Sequence, residues 1–210
     1  MATAHIIASG YTRSNTNYVT VTNENNMYDP VSDTSDYATL QGRTRNSSTA
    51  YYCFINHFKF DDLPSNAEVQ SFSIKIKCYR NSYQRTGTNF YLRLSSGSTS
   101  GTVISNTTTS TNINTTASVI TIPTGSLTWN QMVGYGTNFS IEVPLAGSSG
   151  SYAPQIYVYG AEIEVEYIIP NPRSIATSLN GDGTIVPSGT NTYYDGDEIE
   201  VVITPTYSGS

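Results

Sequence analysis

Charge is what this chain has least of: only 12% of its 210 residues are Asp, Glu, Lys or Arg, and Lys59, Lys75 and Lys77 are its only lysines. The ten basic residues are scattered and the formal net charge is −6, so no basic stripe exists to neutralise a phosphate backbone. Nucleic acid is thereby excluded as a partner. No apolar run approaches the ~18 residues that a membrane-spanning helix needs. The opening MATAHIIASGYTRSNT has no basic stretch and only a short apolar one, so a secretory signal is not expected. There are two cysteines, 25 residues apart, with no nearby histidine pair, which is not a zinc spacing.

Catalytic vocabulary is equally thin. His5 and His57 are the only histidines, and each falls in a candidate strand. His57 reads as a partly buried strand residue rather than a base. No G-x-S-x-G turn is present, and no glycine-rich phosphate loop precedes a helix. We therefore expect no enzyme, no cofactor and no metal site. Acidic turn clusters at Asp29, Asp33 and Asp36, at Asp182, and at Asp195, Asp197 and Glu198 offer oxygens to calcium, but DG turns arise for backbone reasons alone.

What is abundant is β-forming and polar. Ser, Thr and Asn make up roughly a third of the chain, far above ordinary usage, and there are 17 tyrosines against one tryptophan. Such aromatic content argues against disorder. In the predicted strand Val69–Arg80 the alternation is strict: Phe72, Ile74, Ile76 and Cys78 fall on one face, Ser73, Lys75, Lys77 and Tyr79 on the other. Period two is the signature of a half-buried strand.

Further strands are predicted at His5–Ser9, Tyr18–Thr22, Tyr37–Gln41, Tyr51–Phe60, Asn89–Leu94, Ser118–Ile122, Asn138–Val143 and Gln155–Ile168, separated by Gly/Pro/Asn/Asp turns. A weak edge strand interrupts the polar tract 95–116. One helical turn is predicted over Ser126–Val133, with Thr128 as cap. The fold class is all-β, a two-sheet β-sandwich of jelly-roll-like or Greek-key type over residues 1–168. Pro170 and Pro172 mark a linker over 169–173, and a partial β module follows over 174–210.

Cys53 and Cys78 flank a turn around Pro64, and a hairpin there would bring them close; buried free thiols are the preferred reading. Glu162, Glu164 and Glu166 share one face of the last long strand and read as a solvated surface, with Lys75 and Lys77 across from some of them. By parity with Ile163 and Tyr167, Tyr157 and Tyr159 are expected to point inward. Trp129 reads as core or rim packing, with sugar stacking as the functional alternative. The loop tyrosines Tyr83, Tyr152, Tyr193 and Tyr194 are, with Trp129, the candidate contacts for a ligand or partner chain.

The segments HFKFDDLPSNAEVQSFSIKIKCYR, LTWNQMVGYGTNFSIEVPL and QIYVYGAEIEVEYIIP together resemble a β-sandwich module of tailed-bacteriophage structural proteins. The later GDGTIVPSG and GDEIEVVITP resemble the start of a bacterial Ig-like surface repeat. These resemblances imply a non-enzymatic virion protein, borne on a tail, fibre or capsid surface. Its partners would be other virion subunits, further copies of itself and a cell-surface glycan. The alternative they leave open is a secreted bacterial carbohydrate-binding or adhesin module.

Overall fold

The computed structural model describes residues 1–32, 35–43, 51–84, 89–95, 97–106, 113–136, 138–147, 152–194 and 197–206. Among them, two antiparallel sheets share one buried apolar cluster. The first sheet runs β3 (Val19–Thr22), β4 (Ala38–Gly42), β11 (Gln155–Ile168), β6 (Glu68–Arg80) and β9 (Ser118–Ile122). A further strand, β1 (Ala2–Ile7), lies beside the second half of β11, on the edge that β4 occupies along the first half. The second sheet runs β2 (Gly10–Arg13), β5 (Tyr51–Asn56), β10 (Ser140–Leu145), β7 (Tyr91–Leu94) and β8 (Thr102–Asn106). The expected sandwich is what forms.

Alternation drives the packing. Ile74, Ile76 and Cys78 of β6 enter the core beside Ile156, Val158, Ile163 and Val165 of β11, and all are fully buried. From the other sheet Cys53, Ile55, Leu92, Ile141 and Val143 meet them. The single α-helix among the described residues, α1 (Trp129–Tyr135), is nucleated as expected by Thr128. Its hydroxyl accepts from the Gln131 backbone N–H, while the Gln131 side chain accepts from the Thr128 N–H, a reciprocal capping box.

The hairpin expectation fails. β5 and β6 belong to different sheets, and Cys53 pairs with Val143 and Arg13 whereas Cys78 pairs with Val158 and Ser118. Residues 57–67 cross the sandwich instead of turning back within one sheet. His57, expected in a strand, is exposed and takes a left-handed φ of 57° where β5 ends. Pro172, expected in a linker, opens β12 (Pro172–Thr177), which pairs with β14 (Gly189–Tyr194); β13 (Gly183–Val186) pairs with β15 (Val202–Pro205).

Both cysteines are free and buried, in line with the thiol reading. Desolvation pushes the Cys53 thiol up to about 12, against a small opposing effect of Arg13, and burial raises Cys78 as well. Thiolate is the reactive form. The folded protein is therefore expected to show no thiol reactive toward Ellman's reagent at pH 8, and two in denaturant. A mass spectrum showing a Cys53–Cys78 bridge would contradict this.

Candidate functional site

The outer face of the first sheet carries an unusual set of side chains. In β4 Ala38 and Leu40 are buried, so Thr39 and Gln41 face outward; in β11 Ile156 and Val158 are buried, so Gln155 and Tyr157 do. Cross-strand register then arranges them in rows. Thr22, Thr39, Tyr157 and Tyr79 form one row, and Thr20, Gln41 and Gln155 the next.

Tyr79 and Tyr157 stack with centroids 4.4 Å apart and planes 19° from parallel. Tyr37, which precedes β4, meets Tyr79, Tyr157 and Tyr159 edge-on at 5.8, 5.1 and 5.6 Å. Tyr37 is exposed, the other three half-buried. Lys77 reaches over Tyr159, its ammonium 5.4 Å from the ring centre. Desolvation raises the phenols of Tyr79 and Tyr157, and Tyr37 adds to both shifts, by a hydrogen bond in the case of Tyr79. Both therefore remain neutral O–H groups at ordinary pH, able to donate and accept.

A polar chain leads away from the rings. Tyr157 donates its hydroxyl to Gln155 Oε1 at 2.6 Å, and Gln155 Nε2 donates to Gln41 Oε1 at 2.6 Å. Asn81 Nδ2 also donates to Gln155 Oε1, at 3.2 Å. Gln41 in turn lines a cleft of about 270 Å³ with Asn17, Tyr18, Thr20, Gly42, Arg43 and Ala153. The Arg43 guanidinium lies 5.0 Å from the Tyr18 ring centre. Aromatic surface, two amides, hydroxyls and a cation thus adjoin on one open face. These groups can stack against a ligand and exchange hydrogen bonds with it.

Tyr157 and Tyr159 point outward, against the parity expectation. A β-bulge between Val158 and Gly160 inserts one residue into β11 opposite β6, so the inward phase shifts from Ile156 and Val158 to Ala161, Ile163 and Val165. The carboxylate stripe also departs from a solvated surface. Glu162 is fully buried, covered by His5 of β1 and by the Val31 N–H, which donates to its Oε2 at 3.1 Å. The cross-strand ion pair was expected and forms, with Lys75 Nζ 2.6 Å from Glu164 Oε1.

The contact candidates whose side chains are described do not assemble into one site. Tyr83 and Tyr152 stack on each other at 4.3 Å. Trp129 packs edge-on against Phe60 and Phe72 at 5.8 and 5.6 Å and lines a separate cleft with Glu68, Gln70 and Asn130. This is the rim packing anticipated for it. Tyr193 is half-buried in β14 opposite Arg173, and the side chain of Tyr194 lies outside the described residues, as do Asp33 and Asp195. Tyr37, Gln41 and Gln155 escaped sequence reasoning, and Tyr157 and Tyr159 were expected on the wrong face. The usable signal was Tyr79, which alternation placed outward, together with the Y-x-Y of β11.

No family model matches the sequence, and no curated protein matches it. Among solved structures, the chain is similar to the family 30 carbohydrate-binding module of a cellulosomal cellulase of Clostridium thermocellum, with a TM-score of 0.40 and 9% identity over 78% of this chain and 97% of that one. A second structure of a family 30 carbohydrate-binding module gives a TM-score of 0.40 and 8% identity over 86% and 94%.

Proposed function

We propose that this protein is a non-catalytic glycan-binding module that takes a saccharide on the outer face of its first sheet. The observation that carries the reading is the Tyr79–Tyr157 row set directly beside the Gln41–Gln155 amide row. Pyranose rings present C–H faces to aromatic rings and hydroxyls to amides, and tyrosine supplies contact area at little entropic cost. The face is open, which suits an extended chain better than a small enclosed ligand. The proposal holds equally for a secreted protein and for the particle setting implied by the phage-module resemblance, where repetition of weak sites would raise avidity.

The test is calorimetric titration of neutral and acidic oligosaccharides against the wild type and against Tyr37→Ala, Tyr157→Ala and Trp129→Ala variants. Tyr37→Ala and Tyr157→Ala are expected to weaken binding at least tenfold, about 1.4 kcal/mol or more. Trp129→Ala should leave it unchanged. Loss of binding on Trp129→Ala alone would move the site to the α1 cleft, and an absence of binding across the panel would end the proposal.

A further inference from the structure

Strands β1, β11 and β6 lie side by side, and their outer face gathers one imidazole and two carboxylates. His5 sits directly opposite Glu164 in the β1/β11 register, and Glu162 lies two residues along on the same face. One nitrogen of His5 and one oxygen from each glutamate all lie within 4.8 Å of one another. His5 Nδ1 is 3.1 Å from Glu162 Oε1.

Two features separate this group from an ordinary acidic surface. Glu162 is 0% exposed, yet among the described residues its only ion-pair partner is His5, whose side chain is 44% exposed. Lys75, directly opposite Glu162 across the β11/β6 pair, gives its ammonium to Glu164 instead, so one lysine serves two neighbouring carboxylates, one of them buried. In addition, the Val31 N–H holds Oε2 of Glu162 and leaves Oε1 turned toward His5, the role an outer-shell donor plays at a metal ligand. Lys75 occupies Glu164 Oε1, so the second oxygen of that carboxylate is the one available to an ion.

We propose that His5, Glu162 and Glu164 form a three-ligand site for a transition-metal dication of the zinc class. One imidazole nitrogen and two carboxylate oxygens suit such an ion better than calcium or magnesium, which prefer all-oxygen shells. A small inward movement brings the three donors to bonds of ~2.0–2.2 Å and leaves a fourth position to water. The ion joins residues 157 and 159 positions apart in sequence, His5 to Glu162 and Glu164, and so staples β1 to β11. The zinc spacing is invisible in the sequence because it exists only across the strand pair.

The experiment uses untagged, EDTA-stripped full chain titrated with Zn²⁺ by calorimetry, and with Co²⁺ by visible absorption to report coordination number. One ion per chain is expected, with a rise in thermal midpoint on addition of Zn²⁺. His5→Ala and Glu164→Gln should each weaken binding at least tenfold, while His57→Ala leaves it intact. Glu164 is half-exposed, so its variant keeps the test usable where Glu162→Gln disturbs folding. No binding, or binding that survives His5→Ala and falls with His57→Ala, would overturn the assignment.

Discussion

Replacing Arg93 with alanine is expected to destabilise the protein by about 3–5 kcal/mol at neutral pH, the usual loss when one partner of a buried ion pair is removed. Its partner Glu142 lies in β10 and is 1% exposed. It is on the outer face of the second sheet, opposite Phe54 on one side and Tyr91 on the other. Arg93 Nε donates to Glu142 Oε2 and Arg93 Nη1 to the Gly101 carbonyl, so one guanidinium ties three segments together. Glu142 Oε1 has no hydrogen-bond partner among the described residues. Without Arg93, the charge would be left with nothing to offset its desolvation.

Desolvation raises the Glu142 carboxyl above its ordinary range, and the hydrogen bond and charge of Arg93 oppose that rise. Removing Arg93 removes the opposition, so the folded state holds its proton to still higher pH than the unfolded chain does. A group of that kind lowers stability as pH climbs from the unfolded-state value through the folded one. The Arg93→Ala deficit should accordingly shrink on acidification toward the ordinary glutamate range near 4.3. Urea denaturation at pH 4.5 and pH 7 measures it. An Arg93→Met/Glu142→Leu double variant should recover most of the loss, since the charge needing compensation is gone. A deficit under about 1 kcal/mol, or one independent of pH, would show that the pair is solvated. Saccharide binding on the opposite sheet should survive at temperatures where the variant is folded.

The contrast between the two sheets explains what could be read in advance. β6 was legible because Ile74, Ile76 and Cys78 all face one core while Ser73, Lys75 and Lys77 face out. α1 was legible because its capping box is local to Thr128 and Gln131. In β5, by contrast, Phe54 and Asn56 are buried as completely as Cys53 and Ile55, so alternation carries no signal about which way that strand faces. With its direction unread, residues 57–67 looked like a hairpin turn rather than a crossing between sheets. Glu162 was misread for a related reason. Period two places it outward, and only the pairing of β1 with β11 shows that this part of the outer face is covered. The tyrosine face needed cross-strand register, which no single strand contains.

Gly160→Val is expected to act on both the fold and the proposed saccharide face. In wild type, Gly160 follows the extra residue of the bulge, and the carbonyl of Asp29 approaches where a side chain would begin. A Cβ there would lie 2.1 Å from Asp29 O and 3.0 Å from Asp29 C, both backbone atoms that cannot rotate away. Relief requires lifting the segment that runs from the 3₁₀ turn Glu24–Tyr28 to Val31. That segment buries Met27 fully in the core and supplies the N–H that holds Glu162. Overpacking of this kind costs about 1–3 kcal/mol or more, and at this chain length 3 kcal/mol corresponds to a fall of roughly 6–12 °C in thermal midpoint. Should β11 instead relax by removing the bulge, Tyr157 and Tyr159 would turn from the outer face toward the core, because a one-residue slip exchanges the two faces of a strand. Saccharide binding would then fall along with stability, whereas lifting the segment alone would lower stability with Tyr79 and Tyr157 still stacked. Titration and thermal unfolding of the same variant distinguish these routes, and an unchanged midpoint would show that the Asp29 carbonyl does not pack on Gly160.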